Sequence, residues 1–250
     1  MTIINNVPKL FTITEPWTAS TATYDAHIQA PDRFSIENVN GAKNALFVCQ
    51  PDDMLSSGGE RAEIILGTWS NSRDWMINGS ELAVEYYRIR VKLQSPWERP
   101  DFNASNNRWG CVFQAHSPFA VPPPLALHAE DDFKLFVLGG DMDNLGSANG
   151  GFVPLIDNAL VVDTWVDFVI EMKWSPNADG YAVLYRKDDG ASSFKMLGEA
   201  RDRITMQWKT TPKMNLHYFK CGYYRSQSNH TNTVRLAPLI RTSSRAVAFA

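Results

Sequence analysis

Cysteine is scarce in this chain, with Cys49, Cys111 and Cys221 the only three among 250 residues. They are far apart and odd in number, so no disulfide framework organises the fold. No Cys-x-x-Cys and no Cys/His pair has zinc-ligand spacing, which excludes a zinc ribbon or finger. Each lies in an apolar run and reads as a buried free thiol. Long hydrophobic runs are missing as well. No stretch of about 18 apolar residues occurs, so no transmembrane helix and no membrane partner are expected. The N-terminus, Met1-Thr2-Ile3-Ile4-Asn5-Asn6, has no basic region followed by an apolar run, and no signal peptide is read there. Nor is there a surplus of one charge. Lys and Arg number 24 against 27 Asp and Glu, a formal net charge of -3. That balance argues against a nucleic-acid partner and requires any anionic ligand to meet a local basic cluster. No repeat, low-complexity block or linker divides the chain, so one domain spanning 1–250 is expected, working as a monomer.

What is present is a hydrophobic content of 44% with 12% aromatics, enough for a sizeable core. The chain reads as strands throughout. Ala45 to Cys49 is a short apolar run, Ser56-Ser57-Gly58-Gly59 a turn cluster, and Arg61 to Leu66 the strand after it. From Val84 to Leu93, Tyr87, Ile89, Val91 and Leu93 alternate with Tyr86, Arg88, Arg90 and Lys92. The cationic face of that strand is either a solvated sheet surface or one that meets an anion. Trp109 to His116 alternates again, with Gln114 and His116 together on one side. Val166, Phe168, Ile170, Met172 and Trp174 form an apolar face against Asp167, Glu171 and Lys173. Gly139 to Gly151, rich in Gly, Asp and Asn, reads as a loop over a site. Many short alternating strands with turns between them, and almost no helical period, give an all-β fold: an antiparallel sandwich or jelly roll.

The stretch from Tyr218 to Arg225 carries the clearest functional pattern. His217, Phe219, Cys221 and Tyr223 point one way, and Tyr218, Lys220, Gly222 and Tyr224 the other. One face is core; the other offers two phenols and an ammonium, with a glycine that lets a ligand approach the backbone.

Five elements occur in order: Gly59-Glu60-Arg61-Ala62-Glu63-Ile64, Gln114-Ala115-His116, Trp165-Val166-Asp167-Phe168, Lys173-Trp174-Ser175 and Tyr218 to Arg225. Over roughly residues 30 to 245 the chain resembles the polysaccharide lyases of the heparin lyase I and glucuronan lyase group. Alginate lyases of the same architecture share its Arg-x-Glu, Gln-x-His and Tyr-Phe-Lys-x-Gly-x-Tyr elements. The resemblance implies a concanavalin-like β-jelly roll whose concave groove cleaves an anionic, uronic-acid polysaccharide by β-elimination. It also implies roles. Arg61 and Gln114 hold the substrate carboxylate, His116 neutralises it or acts as base, and Tyr224 transfers the proton.

The chemistry suits these residue types. β-Elimination removes the proton at C5, next to the uronate carboxyl, and expels the oxygen on C4. Donors preorganised around that carboxyl group stabilise the charge that builds on it, and Arg61, Gln114 and a suitably protonated His116 supply them. A tyrosine base needs cations nearby to favour its phenolate; Lys220, Arg225 and the Arg88/Arg90/Lys92 face are the candidates. Lys220 stands about 13 Å from Tyr224 along an unbroken strand, which assigns it to a neighbouring sugar, although a bulge at Gly222 would weaken that argument. Arg88, Arg90, Glu63, Tyr218 and Arg225 complete the expected binding set, with Glu63 pairing with and orienting Arg61.

No cofactor is expected. Asp141, Asp143 and Asn144 offer oxygen ligands of the kind calcium takes, but the full loop pattern is missing. Two rivals remain at this point. A glycosidase of similar fold needs two carboxylates flanking the scissile bond, and Asp167 and Glu171, about 13 Å apart by strand rise, read as solvent-facing acids. A non-catalytic carbohydrate-binding jelly roll would lack the proton-transfer residues that this chain keeps together. The modest net charge favours an unsulfated, glucuronan-like substrate over a heparin-like one. Such a polymer implies an extracellular or virion-associated setting.

Overall fold

Alternating apolar side chains close two sheets face to face in a β-sandwich of the jelly-roll type, seen here in a computed structural model. The structure describes residues 12–13, 25–39, 41–55, 59–66, 76–78, 84–101, 108–117, 121–144, 149–210, 213–214 and 216–250. Three residues of the expected turn at Ser56-Ser57-Gly58 lie outside that set.

The first sheet runs, neighbour to neighbour, β15 (Lys195–Arg203), β14 (Gly180–Asp188), β13 (Trp165–Lys173), β8 (Val84–Gln94), β19 (Asn232–Leu236), β4 (Ala42–Cys49) and β3 (Phe34–Val39). Short strands β20 (Ile240–Thr242) and β1 (Thr12–Ile13) extend it beside β8. The second sheet runs β17 (Lys213–Met214), β16 (Gln207–Thr210), β11 (Phe133–Asp141), β10 (Leu125–Ala129), β9 (Gly110–His116), β18 (Leu216–Arg225), β6 (Gly59–Ile65) and β2 (Asp25–Ile28). On this sheet β12 (Asn149–Phe152) pairs with β11, β5 (Met54–Leu55) with β6, and β7 (Met76–Asn78) with β18. All ladders are antiparallel except the short parallel one between Gly140–Asp141 and Gln207–Trp208.

Between the sheets lies one core. Tyr87 and Phe168 from the first sheet meet Phe219 and Phe133 from the second at ring-centroid distances of 4.9 and 4.7 Å. The apolar faces read from β8 and β13 point inward as the alternation requires: Tyr87, Ile89, Val91, Leu93, Phe168, Ile170 and Met172 are all buried. The three cysteines are free and buried. Burial pushes the Cys49 thiol up to about 12, which suppresses the thiolate and its reactivity. A C-terminal helical turn, α1 (Arg245–Ala248), covers the outer face of the first sheet, where Phe249 packs on Tyr86 and Tyr185.

The glycine-rich stretch from 139 to 151 differs from the expected loop. Its first residues continue β11, and Asn149–Phe152 folds back on that strand, pairing Gly139 with Asn149 and Phe136 with Phe152. Local composition reads as loop, but a ready strand partner satisfies the backbone groups in a ladder. The calcium-type oxygens nearby are engaged: the Asp143 N–H donates to Asp141 Oδ1 at 3.0 Å, and Lys209 lies 3.6 Å from the Asp143 carboxylate.

His217 ties the second sheet together from inside. It is fully buried, stacks on Trp174 at 5.4 Å, and its Nε2 accepts the Gln207 N–H at 3.1 Å. A proton on Nε2 would face that N–H, and burial disfavours the charged ring, so its pKa falls from 6.5 to about 3. The unfolded chain therefore binds a proton below about pH 6.5 that the folded chain refuses until about pH 3. Stability is unaffected above that window and falls through it, by up to about 1.4 kcal/mol per pH unit from this residue. Urea titrations of wild type and His217→Phe across that range are expected to show a shallower acid decline in the variant. Equal slopes would remove His217 as the source.

Candidate active site

The outer face of the second sheet carries polar side chains where a sandwich usually meets solvent, yet most of them are buried. Arg61 and Glu63 come from β6, Gln114 and His116 from β9, and Tyr218, Lys220 and Tyr224 from β18. Register brings them together: Tyr224 pairs with Arg61, Gly222 with Glu63, Lys220 with Gln114 and Tyr218 with His116. Glu63 and Gln114 are 1% exposed, Lys220 4% and Arg61 6%, while His116, Tyr218 and Tyr224 are half-buried.

The hydrogen bonding assigns orientations. Gln114 Nε2 donates to Glu63 Oε1 at 2.5 Å. A carboxylate only accepts, so the amide nitrogen is the end held there and its second N–H points elsewhere. Glu63 Oε2 lies 3.9 Å from Arg61 Nη1. The Arg61 guanidinium stacks on the Tyr224 ring, 3.9 Å from its centroid, and Trp109 meets the same ring edge-on at 5.8 Å. Gly59 makes room for this arrangement, since a Cβ there would fall 2.6 Å from Tyr224 Cε2 and 2.5 Å from the Arg225 carbonyl. His116 Nδ1 contacts the Ser117 carbonyl, which can only accept, so Nδ1 carries the hydrogen and Nε2 is the basic nitrogen. The Tyr218 hydroxyl lies 3.4 Å from the same Nδ1.

Among the described residues of this cluster, two cations, Arg61 and Lys220, accompany one carboxylate, Glu63. Lys220 makes no ion pair among the described residues, and burial, followed by the repulsion of Arg61, lowers its pKa against the pull of Glu63. A buried ammonium in that position is under-compensated, and an incoming carboxylate would restore what desolvation removed.

β18 is not an unbroken strand. Three steps from Cys221 to Tyr224 oppose two from Phe113 to Cys111, and Gly222 sits at φ 137°. A side chain there would meet the Ala62 carbonyl at 2.2 Å. The bulge shortens the reach along β18, and Lys220 shares its electrostatic neighbours, Glu63 and Arg61, with the rest of the cluster. The bulge weakens the strand-rise argument that assigned Lys220 to a separate, neighbouring sugar, although β18 keeps unbroken register with β6 from Lys220 to Arg225.

A sequence profile described as polysaccharide lyase matches residues 15–236. The chain belongs to the polysaccharide lyase family. No curated protein sequence matches significantly. Among solved structures the lyase is similar to an endo-β-1,4-glucuronan lyase from the fungus Trichoderma reesei, at a TM-score of 0.64 and 13% identity, over 96% of this chain and 97% of that one. It is also similar to an exolytic alginate lyase from Zobellia galactanivorans, at 0.53 and 12%, over 85% and 88%. An alginate lyase from Klebsiella pneumoniae gives 0.51 and 10%, over 84% and 85%. At these identities the likeness is one of fold.

Three residues expected to bind substrate in the lyase lie elsewhere. Arg88 and Arg90 project from β8 on the outer face of the other sheet. Arg88 Nε donates to Asp167 at 2.9 Å and Nη1 to the Ala250 carbonyl at 2.8 Å. Arg90 lies between Asp167 at 3.7 Å and Asp189 at 3.2 Å. Alternation assigns a face to a strand but does not say which sheet the strand joins. Arg225 is on the core side of β18, fully buried against Glu60, because the alternation that turns Tyr224 outward turns Arg225 inward. Asp167 and Glu171 are not solvent-facing acids either: Asp167 is 6% exposed beside Arg88, and Glu171 accepts from Tyr181, Tyr185 and Arg245.

Other residues come into view only with the register. His27 of β2 is the register partner of Glu63. On the opposite flank, His128, Glu130, Lys134, Phe136 and Phe152 occupy the same outer face. The alternation of Ala126, His128 and Glu130 against Leu125, Leu127 and Ala129 carried that signal in the sequence.

Proposed function

We propose that the lyase is an endo-acting enzyme that cleaves an unsulfated, uronic-acid polysaccharide of the glucuronan type by β-elimination, leaving unsaturated uronate ends. The observation that carries this reading is the buried cluster on the second sheet. Among the described residues its one carboxylate stands against two cations, which suits a substrate carboxylate directly beside a phenol that can move a proton.

In this reading Arg61, Lys220 and the second N–H of Gln114 meet the uronate carboxylate and stabilise the charge that develops as the C5 proton leaves. Glu63 holds Gln114 and Arg61 in place. Tyr224 stands under the Arg61 guanidinium, so a positive charge lies beside the ring that carries negative charge as phenolate. Tyr224 takes the C5 proton and returns a proton to the C4 oxygen as that bond breaks. His116, with Nε2 as its basic nitrogen and Tyr218 beside Nδ1, supports the carboxylate when protonated.

Support for an unsulfated substrate comes from the net charge of -3 and from the structural likeness to the fungal endo-β-1,4-glucuronan lyase. A polymer of this kind places the enzyme's work outside the cell. Among the described residues no helix is long and apolar enough to cross a membrane. The test is a panel of glucuronan, alginate, heparin-like chains and glucuronate-containing exopolysaccharides, followed by ultraviolet absorbance of the unsaturated uronate and by product size. Glucuronan is expected to give the fastest absorbance rise with an early spread of oligosaccharides. New reducing ends without absorbance would mean hydrolysis and sink the proposal.

A further inference from the structure

The outer face of the second sheet continues well past the cluster. In register, Lys220 pairs with Gln114, Gln114 with Ala126, Ala126 with Phe136 and Phe136 with Phe152. Direct cross-strand partners share a face, so these five side chains form one row across β18, β9, β10, β11 and β12. With strands about 4.8 Å apart, Phe152 stands roughly 14 Å from Gln114 across three spacings. That is beyond the sugar unit held at the cluster but within the same polymer chain. Ala126, buried and small, keeps the floor low between the two ends.

Phe152 is 50% exposed, and among the described residues it is the sole aromatic side chain so exposed. Its ring is fixed rather than loose. His128 and Phe136 meet it edge-on at 5.4 and 5.3 Å, and Lys134 Nζ lies 5.8 Å from its centroid. The polar groups framing it hold no surplus positive charge. Glu130, 4% exposed, accepts from His128 Nδ1 at 2.8 Å and Lys134 Nζ at 2.9 Å, and Lys134 also lies 3.3 Å from Asp132. One ammonium between two carboxylates offers nothing to a sulfate or uronate. With Nδ1 facing a carboxylate, a neutral His128 ring carries its hydrogen there, which leaves Nε2 as an acceptor suited to a sugar hydroxyl.

We infer that Phe152 is a distal sugar platform, on which the polysaccharide lays the C–H face of a ring that presents no anionic group to the protein, with His128 Nε2 accepting one of its hydroxyls. The inference rests on the lyase reading above and adds a second contact to it: a carboxylate is gripped at one end of the row and an uncharged ring face is stacked at the other.

The test is Phe152→Ala beside Phe152→Tyr, assayed on oligosaccharides of increasing length and on polymer at low and high salt. The alanine variant is expected to raise KM for polymer about tenfold, with the deficit growing with chain length and insensitive to salt, since no charge is involved. Tyrosine should restore most of the affinity. Affinity electrophoresis in polymer-containing gels reads the same contact without turnover, so an absence of unsaturated product would overturn the lyase reading and leave this measurement standing. Equal KM and equal gel retardation for wild type and Phe152→Ala would overturn the platform. So would a salt-sensitive deficit, or equal losses for alanine and tyrosine.

Discussion

Tyr224→Phe is expected to lower turnover of the preferred uronan by about 10²–10⁴-fold, the range over which a positioned acid–base group contributes. The substitution is unusually clean here. The Tyr224 ring is held by Arg61 at 3.9 Å on its face and Trp109 at 5.8 Å on its edge, and phenylalanine keeps both contacts. Only the hydroxyl goes. On the proposed reading Arg61, Lys220 and Gln114 remain to receive the carboxylate, with Glu63 still holding Gln114 and Arg61, so KM should change far less than kcat, and gel retardation by polymer should persist. A variant that turns over within a few-fold of wild type would remove Tyr224 from proton transfer and move that role to His116. In that event the pH–rate profile should lose its acid limb in a His116→Asn variant and not in Tyr224→Phe.

Much of the fold was legible in the sequence because strand faces are a local property. The apolar sides of β8, β13 and β18 are the ones that alternation assigns, and the two faces of β18 separate Phe219, Cys221 and Tyr223 from Tyr218, Lys220 and Tyr224 as a period of two requires. The site residues of β6, β9 and β18 share one face for the same reason. Strand order is not local. Nothing within Val84–Gln94 reveals that it lies between β13 and β19 in the opposite sheet, so the cations of Arg88 and Arg90 looked usable when they were already committed to Asp167. The bulge at Gly222 and the hairpin that carries Phe152 depend on which backbone lies alongside, which composition does not report. Arg225 is the instructive case, because the pattern did contain the answer. It falls on the core face of β18, Glu60 falls on the core face of β6, and the two are register partners. Charge drew it toward the substrate; alternation had already placed it inside.

Removing either member of that pair should cost more stability than any other single change considered for this protein. Arg225 is fully buried and Glu60 is 1% exposed. Arg225 Nε and Nη2 donate to Glu60 Oε2 at 2.8 and 2.7 Å, Nη1 donates to Asn232 Oδ1, and Nη2 also donates to the His230 carbonyl. Glu60 Oε1 accepts the Asp52 N–H at 2.9 Å, and Asn232 Nδ2 reaches the Glu98 carbonyl at 2.9 Å. One guanidinium thus joins β18 to β6 and to the start of β19, and Glu60 carries the link on to the turn after β4. Arg225→Met leaves a buried carboxylate without its cation, and Glu60→Gln leaves a buried guanidinium without its anion. Each is expected to lower unfolding free energy by about 3–5 kcal/mol. The double variant should lose clearly less than the sum, since it strands neither charge. Urea midpoints for the four proteins give the cycle directly. The competing role predicts the opposite pattern: if Arg225 met substrate, Arg225→Met would keep its midpoint and lose affinity for the polymer. A midpoint unchanged in Arg225→Met would therefore return this residue to the binding set.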